Sequence, residues 1–360
     1  MSQDVIAQYP HVKRSLGLLS ADLARNPGAT PVVSYSGGKD STALMGLFFL
    51  AKSLGVIERF EVINSDTRME LPFLVQLVDK AEEFCLSQGV SFHRLYAPME
   101  GRFFYKLLGE GVSVPNRSFR WCTDRLKIRP AKRFYKTLST QGRSYLMYTG
   151  ERLGESAQRD LRLKAQGCGD GQECGVKDLA SVAPEGFSKT PIVHWSLCQV
   201  WDFIAECSLC GLLHDVFDQL SYLYSRHVDA KNSLRTGCIG CPLVRKDHSL
   251  AAYIESNPEY QALESVHSVY KELSQARHRL VRPDGKSAGA IKISSRRWAL
   301  DQLLAIESQV RVQVPEFRLI QEDELALIQY MLDQGYYPRG YTGMEPCATT
   351  LPAKQKKTPD

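Results

Sequence analysis

The sequence predicts an α/β protein with a Rossmann-like parallel sheet, helices on both faces of that sheet, and a helical extension toward the C-terminal side. Apolar runs of β-type residues alternate with helical patterns through the first half of the chain, which is typical of a parallel sheet. A glycine-rich turn connects the first apolar run to the first helical pattern. Beyond residue 248 the apolar residues recur at three- and four-residue spacing, which indicates helices.

Each predicted element follows from one of these patterns. Short apolar runs that end at turn residues predict strands over 32–35, 60–64, 91–96 and 145–148. Apolar residues that share one helical face predict helices over 41–53, 70–88, 130–138, 197–212, 295–310 and 322–332. Ligands bind at the carboxyl ends of the strands in such sheets, so a site is expected at that edge.

The same patterns divide the chain into four predicted parts. They are an N-terminal helical segment over 1–29, an α/β domain with cysteine-rich loops over 30–245, a helical subdomain over 246–335, and a disordered, lysine-rich tail over 336–360.

Composition argues against two classes of protein. The 360 residues contain no apolar run long enough to cross a membrane and no secretory segment at the start, so a cytoplasmic protein without a membrane partner is expected. The ten cysteines are then expected to serve metal binding or thiol chemistry rather than a disulfide framework.

The positive charge is unevenly distributed. The formal net charge is only +5, yet lysine and arginine concentrate in two stretches, 117–136 and 277–297. Such stretches suit a polyanion such as DNA. A solvated helix face would explain each stretch nearly as well.

The most informative segment is Ser36–Thr42, with the sequence Ser-Gly-Gly-Lys-Asp-Ser-Thr, between the first predicted strand and helix. The glycines let the backbone approach an anion, and the start of a helix favours negative charge. Lys39 adds a positive charge, and Ser41 and Thr42 add hydroxyl donors. A phosphate-binding loop is therefore favoured over an ordinary capped glycine turn. The candidate nucleotide-binding residues here are Ser34, Ser36, Gly37, Gly38, Lys39, Asp40, Ser41 and Thr42.

Two other predicted strands end in residues that would lie at the same edge of the sheet. Asp66 follows the second strand, and Gly150 and Arg152 follow the fourth. A guanidinium can bind two phosphate oxygens at once, so Arg152 joins Lys39 and Asp40 as a candidate catalytic residue. The alternatives are a surface ion pair at Arg152 and a helix-capping turn after Asp66.

Several cysteines lie in loops, with the spacing of metal ligands. Cys238 and Cys241 form a Cys-x-x-Cys with glycine inside and proline after it, which predicts a tight turn that aims two thiolates at one centre. Cys122 lies in the first basic stretch, which would lower the pKa of its thiol or stabilise an anionic cluster. Cys168 and Cys174 flank a glycine-rich loop and are further ligand candidates.

The other cysteines are interpreted as core or incidental. Three or four thiolates without a histidine indicate an iron–sulfur cluster or a structural zinc, and pairing of distant cysteines around a nucleotide edge favours the cluster. Cys85 is assigned to the core, and Cys198 to the core or a partly buried position. Cys207 and Cys210 form a second Cys-x-x-Cys, for which core packing is favoured over metal binding. Cys347 is interpreted as incidental, with sulfur transfer as the alternative.

The motifs resemble those of one superfamily and occur in the same order. Ser36–Ser41 resembles the PP-loop, Ser-Gly-Gly-x-Asp-Ser, of the ATP pyrophosphatase superfamily. Residues 64–72 and 150–159 resemble Asp-Thr-Gly-x-Glu-x-Pro and Gly-x-Arg-x-x-Glu-Ser-x-x-Arg of the phosphoadenylylsulfate (PAPS) reductase-like family. Arg68 stands where that family commonly has glycine. The Glu-Cys-Gly-x-His motif expected of a true PAPS reductase near the C-terminus is absent, which weakens the reductase interpretation.

Two later segments narrow the resemblance. Residues 237–250 and 285–306 are similar to the DNA phosphorothioation sulfurtransferases, the SspD/DndC-like group. This resemblance implies a sulfurtransferase that adenylates a DNA backbone phosphate with release of pyrophosphate. The implied partners are DNA, a cysteine desulfurase as sulfur donor, and other phosphorothioation subunits including an ATPase.

The resemblance also implies cofactors and site residues. It implies an adenine nucleotide alpha-hydrolase-like fold that cleaves ATP between its α- and β-phosphates with Mg²⁺. It places Glu70 and Arg159 at the nucleotide beside Asp66 and Gly150. It implies a [4Fe-4S] cluster, and the expected ligands are Cys122, Cys174, Cys238 and Cys241, with Cys168 as the alternative to Cys174.

Two other classes of function remain open on the sequence alone. One is another enzyme of the same family, a PAPS or APS reductase or a tRNA thiolase. The other is a nucleotide-binding or DNA-binding module with a structural zinc.

Overall fold

The computed structural model describes residues 3–153, 175–176, 188–225 and 237–351, which fall into two compact units. The first, here the sheet unit, consists of Met1–Asp66, Glu70–Tyr96 and Lys127–Thr236. The second, here the cysteine unit, consists of Thr67–Met69, Ala97–Leu126 and Gly237–Asp360. Each unit is therefore assembled from segments that are far apart in the chain.

The strands of the described residues are short and are numbered in chain order. They are β1 Thr30–Tyr35, β2 Glu61–Asp66, β3 Ser91–Tyr96, β4 Tyr145–Tyr148, β5 Gly175–Val176, β6 Ser188–Lys189, β7 Arg279–Val281 and β8 Ala288–Ile291.

The α-helices are likewise numbered in chain order. They are α1 Gln3–Ala7, α2 Pro10–Arg25, α3 Lys39–Ser53, α4 Pro72–Ser87, α5 Trp121–Thr123, α6 Arg129–Thr140, α7 Leu197–Leu209, α8 His214–Ser225, α9 His248–Ser256, α10 Glu264–Leu273, α11 Ile293–Arg311 and α12 Glu322–Asp333. Among the described residues, no helix combines the length and the apolar character needed to cross a membrane.

The sheet unit contains the predicted parallel sheet. Its strand order is β3-β2-β1-β4-β6-β5, and the pairs are parallel except for β5 with β6. The five parallel strands confirm the predicted fold class. The antiparallel edge strand β5 was not predicted, because a two-residue strand has no periodicity in the sequence.

Alternate side chains of the central strands pack against helices on opposite faces of the sheet. Val32 of β1 and Met147 of β4 share one buried cluster with Tyr135 of α6. Tyr148, the next residue of β4, contacts Phe48 of α3, with ring centroids 4.9 Å apart. Because successive side chains of a strand point to opposite faces, α6 and α3 cover opposite faces, which confirms the prediction of helices on both sides.

Helix α4 begins two residues later than the sequence predicts. It starts at Pro72, since proline lacks the N–H that would have no partner in the first helical turn. Its N-cap residue, Leu71, offers no side-chain cap. Residues 67–71 do form a turn from strand to helix, as the alternative interpretation of this segment predicts, but Thr67 does not cap the helix.

The cysteine unit is mainly helical, with β7 and β8 as an antiparallel pair. Arg296 of α11 is fully buried in this unit. It donates hydrogen bonds to the carbonyl oxygens of Gly109 and, at 2.7 Å, of Tyr336, and lies 4.8 Å from the ring centroid of Tyr337. Burial lowers the pKa of Arg296 to about 10. This member of the second basic stretch is structural and cannot contact a polyanion.

Candidate functional site

The glycine-rich loop joins β1 to α3 at the carboxyl end of β1, as predicted. Gly37 has a φ of +74°, in the left-handed region that favours glycine. A Cβ at Gly37 would lie 2.4 Å from Cδ1 of Leu74. Both the backbone and the packing therefore require glycine at this position.

The loop hydroxyls hold the loop itself in shape. Ser41 Oγ accepts from the backbone N–H of Ser36 at 3.2 Å and lies 2.9 Å from the carbonyl oxygen of Gly38, to which it can donate. Thr42 Oγ1 donates to the same carbonyl at 3.0 Å. Gly38, the N-cap of α3, has no side chain with which to cap the helix. The result is a rigid helix N-terminus whose dipole favours an anion.

Two cations and one carboxylate converge on this loop. The Asp40 carboxylate accepts from Lys39 Nζ at 2.9 Å and from Arg152 Nε. The side chains of Lys39 and Asp40 are 11% and 14% exposed, so this group is mostly shielded from solvent. The three candidate catalytic residues are thus brought together, with one positive charge in excess.

Gly150 allows the end of β4 to approach the loop. A Cβ at Gly150 would lie 2.8 Å from the carbonyl oxygen of Asp40 and 3.0 Å from the backbone nitrogen of Ser41. Both distances are shorter than ordinary van der Waals contact, so only glycine fits without a shift of the loop.

Trp195 belongs to the site although it was not among the predicted residues. Its backbone carbonyl accepts a hydrogen bond from Arg152 Nη1 at 2.9 Å. Arg152 is only 5% exposed. A carbonyl contact is independent of side-chain type, so the sequence carries no signal for it beyond the turn Pro191–Ser196.

The other predicted nucleotide-binding residues are placed less centrally. Asp66 is the last residue of β2 and pairs with Tyr96 of β3. Glu70 is half-buried and precedes α4. Ser34 is half-buried within β1, where it pairs with Ile63 of β2. Arg159 lies outside the described residues.

The Cys-x-x-Cys forms the predicted tight turn in the cysteine unit. The N–H of Cys241 donates to the carbonyl of Cys238 at 3.1 Å. Gly240 has a φ of +64°, and a Cβ there would lie 2.4 Å from Cγ1 of Val266. The glycine inside the motif is therefore required by the backbone and by the packing on α10.

The Cys-x-x-Cys turn contacts the short segment Thr67–Met69, which follows β2 in the chain. The N–H of Ile239 donates to the Met69 carbonyl at 2.6 Å, and Thr67 Oγ1 lies 3.8 Å from Cys238 Sγ. The loop that carries the two cysteines and the segment Thr67–Met69 are therefore hydrogen-bonded to each other within the cysteine unit.

Cys122 lies in the same unit, on the short helix α5. Burial, followed by the neighbouring Cys241, raises the pKa of the Cys122 thiol, so the predicted lowering by the basic stretch is wrong. Trp121 beside it is buried and stacks on Phe103, with ring centroids 5.4 Å apart.

Cysteine thiols are the kind of ligand that a soft metal prefers, but the described residues are not arranged as a metal site. Within the described ranges, no three or more His, Cys, Asp or Glu side chains are arranged to hold a metal ion. The expected ligand Cys174 and its alternative Cys168 lie outside those ranges. The four-cysteine ligand set therefore stays a prediction.

The remaining cysteines sort mostly as predicted. Cys85 and Cys207 are fully buried, and burial raises the pKa of both thiols. Cys210 is half-buried, whereas Cys198 is exposed rather than part of the core.

The two basic stretches both leave cations exposed. In the second, Arg277 is paired with Glu272, and Arg297 with Asp333 at 2.8 Å, while Arg282 and Lys286 are exposed. In the first, one side of α6 packs on the sheet and the other is exposed. The exposed cations of α6 are Arg129, Lys132, Arg133 and Lys136.

Two solved structures of low sequence identity are similar to part of this chain. PAPS reductase from Candida auris, in a phosphate complex, is 14% identical, with 57% of this chain and 82% of that chain covered and a TM-score of 0.36. The U34-tRNA thiolase NcsA from Methanococcus maripaludis, solved with its [4Fe-4S] cluster, is 18% identical, with coverages of 62% and 76% and a TM-score of 0.36.

Among curated proteins, an uncharacterized protein of Methanocaldococcus jannaschii is 26% identical over 213 residues. The match covers 59% of this chain but only 36% of that protein, so the chain spans about a third of the relative's length. Residues 30–220 match the phosphoadenosine phosphosulfate reductase domain, more than half of the chain and including the loop, Gly150, Arg152 and Trp195. The chain belongs to the phosphoadenosine phosphosulfate reductase domain family.

Proposed function

We propose that this chain is an ATP-dependent sulfurtransferase that activates a DNA backbone phosphate for phosphorothioate modification. The observation that carries the nucleotide part is the convergence of Lys39, Asp40 and Arg152 on a glycine loop at the start of α3. A polyphosphate is the ligand whose charge matches a helix N-terminus with two shielded cations.

The first step would be adenylation. The polyphosphate of ATP lies against the loop, where Lys39 and Arg152 neutralise its charge. A non-bridging oxygen of the DNA phosphate attacks the α-phosphorus, the new O–P bond forms, and the α–β bridge breaks to release pyrophosphate. The loop contributes positioning and charge neutralisation. Mg²⁺, when bound with ATP, would supply further neutralisation of the phosphates.

The second step would use the cysteine unit. A cysteine desulfurase passes sulfane sulfur to a thiol, and the outer sulfur of that persulfide attacks the activated DNA phosphorus; the S–P bond forms, and the P–O bond to AMP breaks as AMP leaves. A second thiol then attacks the inner sulfur, the S–S bond breaks, the DNA phosphorothioate is released, and an external thiol reductant reduces the disulfide that remains. Thiols that could receive and hold this sulfur are Cys122, Cys238 and Cys241. A [4Fe-4S] cluster, when bound by these three and Cys174, would supply a carrier for sulfide.

The basic face of α6 supports a polyanionic substrate. Its exposed lysines and arginines can neutralise backbone phosphates without reading bases. The absence of the Glu-Cys-Gly-x-His motif from the sequence argues against a reductase that acts on PAPS.

The test is release of pyrophosphate from ATP and Mg²⁺ in the presence of DNA. Lys39→Ala and Asp40→Ala should each reduce the rate by about 100-fold or more, because phosphate neutralisation is lost or misplaced. Lys271→Ala and Asp301→Ala, matched exchanges at exposed positions, should leave it unchanged.

Three outcomes would contradict the proposal. Normal pyrophosphate release in both loop variants would remove the loop from the site. Stimulation by tRNA instead of DNA would favour a tRNA thiolase, and thioredoxin-dependent formation of sulfite from PAPS would favour a reductase.

A further inference from the structure

The guanidinium of Arg152 is held from two sides. Its Nε donates to the Asp40 carboxylate of the loop, and its Nη1 donates to the carbonyl of Trp195. Because Arg152 is 5% exposed, these partners rather than solvent set its orientation. Any movement of the Trp195 backbone would therefore move the guanidinium.

Trp195 is fixed in turn through its own indole ring. Indole Nε1 donates to Ser15 Oγ at 3.0 Å, and the Ser15 hydroxyl donates to the Pro191 carbonyl at 2.7 Å. Ser15 is 1% exposed and Trp195 is 3% exposed, so water cannot replace either bond. The single hydroxyl thus joins both ends of the turn that carries the Trp195 carbonyl.

Ser15 is on α2, ahead of the residues that match the family. The buried face of α2 already contains Val12, Leu16 and Leu19, which suffice to dock an amphipathic helix. A buried hydroxyl in this face is not needed for docking, but its two hydrogen bonds give it a specific role.

We propose that Ser15 is a positioning residue for the phosphate site, which acts through Trp195 to aim the guanidinium of Arg152. This inference rests on the proposed function, because Arg152 can act on phosphate only if the loop binds ATP. Misorientation of the guanidinium raises the free energy of the transition state most, because charge is redistributed there. Loss of the Ser15 hydroxyl should therefore slow pyrophosphate release more than it weakens ATP binding.

The test compares kcat and KM for ATP in DNA-dependent pyrophosphate release. Ser15→Ala should lower kcat by about 10-fold and change KM by less than about 3-fold, whereas Ser15→Thr, which keeps the hydroxyl, should restore most of kcat. Ser20→Ala, on the exposed side of the same helix, is the matched control and should match the wild type.

A second variant breaks the same bond from its other end. Trp195→Phe keeps an aromatic ring and removes the indole N–H, so it should reproduce the loss of kcat. The double variant should be no slower than Ser15→Ala, because loss of the hydroxyl already removes its hydrogen bonds to both Trp195 and Pro191. If Ser15→Ala does not fold, Trp195→Phe and Ser15→Thr still provide the comparison.

These measurements distinguish failure of the Ser15 inference from failure of the proposed function. A kcat for Ser15→Ala equal to that of Ser20→Ala, or losses that multiply in the double variant, would overturn the inference and leave the proposed function standing. A wild-type protein that neither releases pyrophosphate nor binds a non-hydrolysable ATP analogue would overturn both.

Discussion

Arg68 has a backbone conformation that a residue with a side chain rarely adopts. Its φ of +59° lies in the left-handed region, where a Cβ crowds the following carbonyl. This explains why glycine is common at this position in the family that the motif resembles.

Comparing Arg68→Gly with Arg68→Ala isolates that backbone cost, because neither variant keeps the charge. Arg68→Gly should be the more stable of the two by about 1 kcal/mol in chemical unfolding. At Gln76, exposed in the middle of α4, the order should reverse, with Ala more stable than Gly by about 1 kcal/mol. The same order at both positions would show that residue 68 is not held in the left-handed region.

Glu324 carries a pH dependence of stability. It is 3% exposed and accepts a hydrogen bond from the N–H of Tyr105 at 2.8 Å. Burial, the largest cause, raises the pKa of the Glu324 carboxyl. Its proton therefore stabilises the folded state below the ordinary carboxyl pKa, and this contribution is lost as pH rises through the raised folded pKa.

Glu324→Gln keeps an acceptor for Tyr105 and removes the buried charge. It should be more stable than the wild type at pH 7, and the difference should shrink toward pH 4. Thermal unfolding across this pH range measures the effect. Glu316→Gln, at an exposed position, should leave the pH profile unchanged; an unchanged profile for Glu324→Gln would contradict the assignment.

At the residue scale, the sequence could predict a site role for a side chain when that role follows from its chemistry and its position in a loop. Lys39, Asp40 and Arg152 come together because two strand ends of one parallel sheet meet at one edge. The pKa direction of Cys122 could not be predicted, since it depends on burial in the folded unit and on Cys241, which is distant in sequence.

Among the elements, the contact between the end of β4 and the start of α3 determines the shape of the loop. The Cα of Gly150 lies against the Asp40 backbone, where a Cβ would be 2.8 Å from the carbonyl oxygen. Gly150 is not in the left-handed region, so its requirement is steric alone.

Gly150→Ala should therefore push the two elements apart. We expect a loss of stability of about 2 kcal/mol and a roughly 100-fold slower pyrophosphate release. Gly17→Ala on α2, where nothing lies within 4 Å of the added Cβ, should instead stabilise by about 1 kcal/mol. Wild-type kinetics for Gly150→Ala would refute the close contact.

The long elements were predictable because their periodicity is local. The predicted strands 91–96 and 145–148 match β3 and β4, and the predicted start of the later helix 322–332 matches that of α12. The start of α4 was missed because Pro72, rather than the apolar pattern, sets it. Strand β6 was missed because two residues are too few to show alternation.

At the scale of the whole molecule, each of the two units is built from segments that are separated in the chain. No change in amino-acid composition marks the boundaries of these segments. Thr67–Met69 lies between strand and helix of the sheet unit in sequence, yet it belongs with the Cys-x-x-Cys turn. Such long-range contacts are invisible to local patterns, so sequence motifs could name Cys238 and Cys241 but not this neighbour.

The proposed cluster makes a prediction at this scale, because its cysteines come from distant segments. Protein purified without oxygen should be brown and contain about four iron atoms per chain. Cys122→Ser and Cys238→Ser should each lose most of the iron, and Cys198→Ser, an exposed control, should keep it. A colourless protein with one zinc would replace the cluster with a structural metal site.

The discontinuity of the cysteine unit has a consequence for synthesis. A ribosome delivers Cys122 long before Cys238 and Cys241, with all of the sheet unit's last segment, Lys127–Thr236, in between. The nascent chain therefore carries Cys122 before these two thiols exist. The proposed thiol set can be completed only after translation has passed residue 241, so its assembly would be a late step of synthesis.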